Sequence, residues 1–154
     1  LVSMIASDHS PCSPELRLQT EGNVKNAWAG LSALQYQLPA TWTAAKKRGY
    51  SVKNIAEWWS IGPATLPAGL LELKGGISEG KLADFVVWDP FHFSAPNDYS
   101  KERHRWPGSF LADMPLLGRV LGTWVGGRQV YDGTIDSLVE GEECPGRIML
   151  ARTS

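Results

Sequence analysis

The sequence predicts an α/β fold, because strand-like and helix-like segments alternate along its 154 residues. Residues 1–6 form an apolar run of strand length without clean alternation, which is typical of a strand buried on both faces of a parallel sheet. Apolar residues then recur at spacings of three and four over residues 24–38, which indicates an amphipathic helix. A hydrophobic fraction of 43% is sufficient for a core, so we expect an ordered domain.

Further helices are predicted after residue 38. Pro39 opens one that extends to about residue 47, and Ser51 caps the next, which the Gly-Pro pair at 62–63 is expected to end. Another short helix could begin at Pro63, although Pro67 would remove a donor one turn later and cut it short.

The second half of the sequence predicts sheet. Residues 83–90 form a strand that Pro90 is expected to stop, and residues 91–117 contain prolines without periodicity, which indicates a long surface connection. Strands at 120–125 and 128–131 flank Gly126-Gly127, a two-residue hairpin turn that requires positive φ.

Three portions of the chain follow from these patterns. We expect residues 1–73 to hold the first strand, its loop and the helices, residues 74–135 to hold the later strands, and residues 136–154 to be an acidic, irregular tail. The chain starts inside an apolar run, so a pairing partner is expected upstream. Any targeting peptide would also lie upstream, and the compartment, cytoplasmic or organellar, is left open.

Composition excludes several classes of protein. Fifteen Lys and Arg against sixteen Asp and Glu leave a net charge of −1, which disfavours binding to nucleic acid. No apolar run approaches the ~20 residues of a membrane span. Two distant cysteines, Cys12 and Cys144, supply neither a disulfide framework nor a four-thiolate zinc site.

The polar loop after the first strand is the best candidate for chemistry. Asp8 follows the strand, and in barrel enzymes catalytic groups sit at the carboxyl ends of strands. Asp8 and Ser10 could instead only stabilise a turn, with Ser13 and Pro14 opening a helix beyond it. His9 is expected to face away from Asp8 and to be structural.

The residues alone define no metal centre. His9, His92 and His104 are scattered, whereas a metal hydrolase needs three or more ligands held together. Cys12 has no base or cation next to it, so a loop or buried thiol is expected rather than a nucleophile.

Two spaced motifs resemble a known family. Residues 7–16, SDHSPCSPEL, followed by residues 27–35, AWAGLSALQ, resemble the C-terminal part of allantoinases, which are cyclic amidohydrolases of the amidohydrolase superfamily. Residues 76–89 and 122–131 resemble sandwich strands of the wider superfamily. The resemblance implies the C-terminal part of a (β/α)₈ barrel, of which residues 1–6 would be the last strand, plus returning strands of a small β-sandwich.

The resemblance also implies a site and a substrate. Asp8 would bind one metal of a divalent pair, with Zn²⁺ expected, and would be the catalytic proton shuttle. Ser10, Trp28 and Ala29 would contact the ring of allantoin, although Ala29 stands where the family usually has glycine. The paired histidines, carboxylated lysine and two further histidines of the centre would lie upstream, so this chain alone is expected to be inactive.

Two alternatives remain open. The first is another cyclic amidase, such as a dihydroorotase or hydantoinase, and the second is a non-catalytic scaffold of dihydropyrimidinase-like ancestry. Retained Asp8 and Ser10 disfavour the scaffold. The expected partner is a small molecule, and the family resemblance makes a homo-oligomer of the full-length protein a further expectation.

Overall fold

The computed structural model describes residues 3–66, 70–96, 102–139 and 145–149. In these ranges an irregular first third is followed by helices and then by an antiparallel sheet. Helix α1 spans Gln37–Lys46 and packs on the sheet. A second helical run consists of α2 (Val52–Ala56), a π-helical turn (Glu57–Ile61) and α3 (Gly62–Ala64), and α4 spans Leu70–Leu73.

The four strands are all paired antiparallel in the order β1-β2-β3-β4. Their bounds are β1 Phe85–Ser94, β2 Leu116–Val125, β3 Arg128–Asp132 and β4 Ser137–Leu138. The predicted hairpin turn is confirmed, because Gly126 and Gly127 join β2 to β3 with φ values of 58° and 80°. The tail is less irregular than predicted, since residues 137–138 pair with β3.

The core lies between α1, α2 and the sheet. Trp42, Ala45 and Ile55 are buried together, and the Trp42 ring meets Trp88 of β1 edge to face at 5.7 Å. The Thr43 hydroxyl donates to the carbonyl of Pro39 at 2.7 Å and accepts the N–H of Leu117 at 2.7 Å. The contacts fix α1 to β2.

The predicted first strand is wrong for residues 3–6, while residues 1–2 lie outside the described residues. A strand needs a neighbouring strand to accept its ladder hydrogen bonds. Ile5 N–H instead donates to the Trp58 carbonyl of the π-helical turn at 3.0 Å. Within the described chain, only His9 forms a parallel bridge there, with Leu31.

The predicted helix at 24–38 is also wrong. Residues 24–36 are turns and irregular chain, and Val24 and Leu34 of the apolar stripe are exposed. The N–H groups of Ala33 and Leu34, which would bond inside a helix, donate to the His9 ring. Tertiary hydrogen bonds thus override the local periodicity.

One helical run and one strand continue past the residues that are predicted to end them. The second helical run does not end at residues 62–63. Pro63 has no N–H to donate, and the π-helical turn before it widens the chain, so that the Gly62 N–H donates to the Glu57 carbonyl. β1 continues past Pro90 because it is an edge strand with a register shift between Asp89 and Phe93. A short α3 beginning near Pro63 is present, whereas Pro67 lies outside the described residues.

The predicted surface connection at 91–117 is therefore shorter and partly buried. Residues 91–94 belong to β1, residues 116–117 belong to β2, and Phe110–Asp113 form a 3₁₀ turn. Leu116 is 1% exposed and Ser109 is 3% exposed. The described segment 102–109 contacts the loops of the first third of the chain through hydrogen bonds given below.

Candidate active-site loop

Asp8 is exposed and lies on the loop of residues 7–13, which we call the Asp8 loop. The Asp8 backbone is in the left-handed conformation. Its φ is 45°, a region that costs an L-residue about 1 kcal/mol, although Asp tolerates it better than most residues. The Ser10 hydroxyl donates to the Asp8 carbonyl at 3.0 Å and closes a local turn. The Asp8 carboxylate makes no hydrogen bond or ion pair with any described residue. It is therefore free to bind a ligand or a proton.

Ser10 and Trp28 meet through the backbone. The Trp28 indole Nε1–H donates to the Ser10 carbonyl at 3.0 Å, and Ser10 N–H donates to the Leu31 carbonyl at 3.2 Å. A Cβ on Gly30 would lie 1.7 Å from the Ser10 oxygen, so only glycine permits this approach. Trp28 is 53% exposed and Ala29 is also exposed, which leaves the indole face and the Ala29 methyl accessible beside Ser10.

His9 packs inward, as the sequence predicts for a structural residue. Its Nδ1 accepts the N–H groups of Ala33 at 3.0 Å and Leu34 at 3.3 Å. The His9 ring also lies 4.9 Å from the ring of His104, centre to centre. The His9 side chain thus joins the Asp8 loop to residues 33–34 and to the segment 102–109.

His104 supports the same region from the other side. Its Nε2 accepts the N–H of Gln35 at 3.1 Å, so its proton is on Nδ1, which is buried without a hydrogen-bond partner among the described residues. Burial lowers the pKa of His104, the nearby His9 lowers it further, and Glu102 opposes both effects. His104 is accordingly a neutral packing residue near neutral pH.

Glu102 anchors the segment 102–109. Its carboxylate accepts the Tyr36 hydroxyl at 2.9 Å, the Ser109 N–H at 3.2 Å and the Gly108 N–H. Burial would raise the pKa of Glu102, but these donors together hold it below the ordinary value of 4.5. The carboxylate is therefore ionised at neutral pH and is well placed to hold its three donors.

Arg17 ties the start of the chain to the same segment. Its guanidinium donates to the carbonyls of Pro107 at 2.6 Å, Gly108 at 3.4 Å and Cys12 at 3.4 Å. The Ser32 hydroxyl adds a bond to the Trp106 carbonyl at 2.6 Å. The backbone of residues 106–108 therefore supports the start of the chain that carries the Asp8 loop.

The sequence singles out the residues of the Asp8 loop but not the side chains that hold this loop in place. Asp8, Ser10 and Trp28 are brought together, whereas Arg17 and Glu102 carry no sequence signal: Arg17 donates to backbone carbonyls 90 and 91 residues away, and Glu102 accepts the Tyr36 hydroxyl from 66 residues away. In the sequence, His104 stands out only as one of three scattered histidines that define no metal centre. Cys12 is buried, which agrees with the expectation of an inert thiol.

The donor set was compared with what a metal ion requires. Among the described residues, no group of three or more His, Cys, Asp or Glu side chains is arranged to hold a metal ion. The Asp8 carboxylate fits as a single ligand, because it is exposed, unpartnered and an oxygen donor suited to divalent ions. The described part of the chain thus offers one ligand for a metal.

A cleft also lies between α1 and the sheet. A cavity of about 700 Å³ opens between the start of α1 and the sheet, and His92, Arg103, Arg119 and Tyr131 are among its lining residues. Neither Asp8, Ser10 nor Trp28 lines it. The cleft approaches the Asp8 loop at two of its lining residues: the Leu34 N–H donates to His9 Nδ1 at 3.3 Å, and the His104 ring lies 4.9 Å from the His9 ring. In the described residues, no helix is long and apolar enough to cross a bilayer.

Comparison with known proteins assigns the family. The sequence profile of the amidohydrolase family matches residues 24–131, and the chain belongs to this family. The chain is 44% identical to a protein named probable allantoinase from Oryza sativa subsp. japonica over 84% of the chain. It is 41% identical to an allantoinase from Arabidopsis thaliana, also over 84% of the chain. The similarity confirms the resemblance to allantoinases.

The chain spans only part of these relatives. It covers 25% of the Oryza protein and 26% of the Arabidopsis protein. A D-hydantoinase from a Thermus species superimposes with a TM-score of 0.77 at 21% identity, over 91% of this chain and 30% of that one. The fold is therefore that of a portion of an amidohydrolase, with helices and an antiparallel sheet.

Proposed function

We propose that this chain is part of a metal-dependent cyclic amide hydrolase that opens the hydantoin ring of allantoin to give allantoate, a step of purine breakdown. The observation that carries the proposal is the Asp8 carboxylate, which has no partner among the described residues and lies on a loop whose backbone is held by His9 and Trp28. The similarity to allantoinases supports the choice of allantoin as substrate.

The proposed architecture is the C-terminal part of a (β/α)₈ barrel with the returning strands of a β-sandwich. Residues 1–73 would contribute the barrel end and the Asp8 loop, and residues 74–135 the sandwich portion. The irregular backbone of residues 3–6 is compatible with a strand that pairs only when the neighbouring barrel strand is present, since a ladder needs two strands. The likeness to hydantoinase structures supports this arrangement.

The proposed metal site combines Asp8 with ligands from outside this chain. A pair of divalent ions, with Zn²⁺ expected, would make a water nucleophilic near neutral pH and would polarise the ring carbonyl. From this chain, Asp8 would provide one carboxylate ligand. Its exposure and lack of protein partners are what such a ligand requires.

The proposed catalytic role of Asp8 is proton transfer. The carboxylate would take a proton from the attacking water as the C–O bond forms. It would return that proton to the ring nitrogen as the C–N bond breaks, which leaves an open-chain product. A carboxylate free of protein donors suits both halves of this cycle, because no ion pair has to be broken before the proton moves.

The proposed substrate contacts lie beside Asp8. Ser10 would meet the ring, and the exposed face of Trp28 would pack on it, with Ala29 adjacent. Since the Trp28 N–H is bonded to the Ser10 carbonyl, Trp28 would also fix the position of Ser10. The two residues would then recognise the ring as a unit.

The test uses the complete protein that includes this chain, purified with its metals. We expect its kcat/KM for allantoin to exceed that for dihydroorotate and for hydantoin. Asp8→Asn should lower kcat by about 1,000-fold, since general acid-base groups contribute factors of that order. The melting temperature of the metal-free protein should be unchanged, because the Asp8 carboxylate has no hydrogen bond or ion pair with a described residue to lose.

Three results would contradict the proposal. A preference for dihydroorotate or hydantoin would favour another cyclic amidase. Absence of ring hydrolysis in metal-loaded protein would favour a scaffold. Near-normal kcat in Asp8→Asn would remove the proton-transfer role.

A further inference from the structure

His9 lies between Asp8 and Ser10 in the chain, and its side chain contacts the backbone of residues 33–34. Its imidazole Nδ1 accepts two backbone N–H groups, from Ala33 at 3.0 Å and from Leu34 at 3.3 Å. Its backbone forms a parallel bridge with Leu31. The residue therefore fastens the loop to the chain that follows Trp28 by both its backbone and its side chain.

The two bonds define the chemical state of the ring. A ring nitrogen that accepts N–H groups carries no proton, so His9 is the neutral tautomer protonated at Nε2. The neighbouring His104 ring, tilted by 47° to the His9 ring with the centres 4.9 Å apart, is itself held by the Gln35 N–H and limits rotation of the His9 ring. An acceptor at this position, rather than a charge, is what the 33–34 backbone requires.

Among the described residues, Asp8 itself makes no long-range hydrogen bond, so its position depends on its neighbours His9 and Ser10, which do. Within the described ranges the Asp8 carboxylate has no hydrogen-bond or ion-pair partner, and the Asp8 carbonyl accepts the local Ser10 hydroxyl. Upstream, the nearest long-range backbone bond among the described residues is that of Ile5 N–H to Trp58. The left-handed φ of 45° at Asp8 persists only if its neighbours are held, and His9 is the adjacent residue with a fixed side chain.

We propose that His9 is a positioning residue for the proton transfer of Asp8: its Nδ1, by accepting Ala33 and Leu34 N–H, sets the direction in which the Asp8 carboxylate points. This inference rests on the proposed function. It assigns His9 no contact with substrate or metal. Loss of the acceptor would let the Asp8 carboxylate drift while the rest of the chain stays folded.

The experiment compares three variants of the complete metal-loaded protein. In His9→Asn, the side-chain oxygen lies at the distance of Nδ1 and can accept the same N–H groups, whereas His9→Gln places its amide one bond further out and His9→Ala has no acceptor. We expect His9→Ala and His9→Gln to lower kcat for allantoin about 100-fold with little change in KM, as for misplacement of a reacting group. His9→Asn should recover most of this loss.

Hydrogen exchange supplies a readout that does not require activity. The amides of residues 33–34 should exchange faster in His9→Ala and His9→Gln than in the wild type, and His9→Asn should restore their protection. A purely structural role would lower the melting temperature of all three variants and leave the kcat of the folded fraction unchanged.

The outcomes separate this inference from the proposed function. Equal kcat losses in His9→Asn and His9→Ala, or normal kcat in His9→Ala, would overturn the positioning role. Wild-type protein without allantoin hydrolysis would overturn the proposed function, whereas the exchange data would still show whether the His9 acceptor holds residues 33–34. Unchanged exchange in all variants would overturn the anchoring contact itself.

Discussion

The Asp8 loop and the four-stranded sheet are stabilised by different kinds of hydrogen bonds. In the sheet, β1, β2 and β3 exchange backbone bonds along antiparallel ladders that register shifts interrupt at a few points. Around the Asp8 loop the long-range bonds run mainly from side chains to backbone. They join His9 to Ala33, Trp28 to Ser10, and Arg17 to Pro107 across 24, 18 and 90 residues.

The difference has a consequence for function. A ladder bond is shared among many residues, so no single side chain controls it, whereas each bond around the loop depends on one side chain. Substitutions near the loop should therefore change the position of Asp8 without unfolding the sheet, and substitutions in the sheet should leave the loop in place. Three substitutions in the complete protein test this contrast.

Glu102→Ala is expected to have the largest effect on stability. It removes the acceptor of Tyr36, Gly108 and Ser109, and the Tyr36 side chain is fully buried. We expect opening of residues 102–109 to become easier by about 3 kcal/mol, the cost of leaving buried donors without their acceptor. Hydrogen exchange should rise in residues 32–36 and 102–109 and stay unchanged in β2 and β3. Equal loss of protection in the sheet would contradict the contrast.

The same residue predicts a pH dependence. Because the pKa of Glu102 is held below its ordinary value of 4.5, the carboxylate stabilises the fold above about pH 4.5, and this contribution is lost as the pH falls through the folded-state pKa. The stability difference between wild type and Glu102→Gln should therefore be constant near neutral pH and shrink in acid. A difference that grows in acid would contradict the assignment. Thermal melting at several pH values measures it.

Asp84→Ala is expected to have a smaller effect, confined to the sheet. The Asp84 carboxylate pairs with Lys74 and accepts the Gly126 N–H of the hairpin turn at 2.6 Å. Lys74 and then the Gly126 N–H lower the pKa of Asp84. We expect a loss of about 1.5 kcal/mol in Asp84→Ala, with roughly half recovered in Asp84→Asn, which keeps an acceptor for Gly126.

This sheet substitution should not reach the loop. Exchange of residues 31–36 and kcat for allantoin should both match the wild type in Asp84→Ala. A fall in kcat at temperatures where the protein is folded would show that the two regions are coupled.

Trp28→Phe is expected to have the smallest effect. It keeps an aromatic face but removes the N–H that donates to the Ser10 carbonyl, and water can replace this donor because Trp28 is half exposed. We expect a rise of about fivefold in KM for allantoin, equivalent to about 1 kcal/mol. Trp59→Phe is the matched control, because the Trp59 Nε1 is buried without a partner among the described residues. Equal KM values in both variants would contradict the Trp28 contact.

The same contrast explains what could be predicted from the sequence. The hairpin at Gly126-Gly127 and the N-cap position of Ser51 are local patterns, and both were predicted correctly. The helix expected at 24–38 failed because His9 and the Ser10 carbonyl compete for that backbone from outside the window. The strand expected to stop at Pro90 failed because an edge position, which depends on the whole sheet, removes the penalty.

The sequence singles out the residues of the candidate site, whose roles stay a prediction, but not the residues that support them. Asp8, Ser10 and Trp28 belong to motifs that carry a family resemblance, so short segments were sufficient to single them out. Arg17 donates to backbone carbonyls 90 and 91 residues away, and Glu102 accepts the Tyr36 hydroxyl from 66 residues away, so these pairings have no sequence signature and are set only by the fold. Their roles could be read only from coordinates.

A crystal structure of the complete protein with its metals tests the central claim most directly. We expect an Asp8 carboxylate oxygen about 2.1 Å from a metal ion, with the His9 Nδ1 still accepting the Ala33 N–H. An Asp8 side chain directed away from the metals, with another residue in its place, would contradict the account.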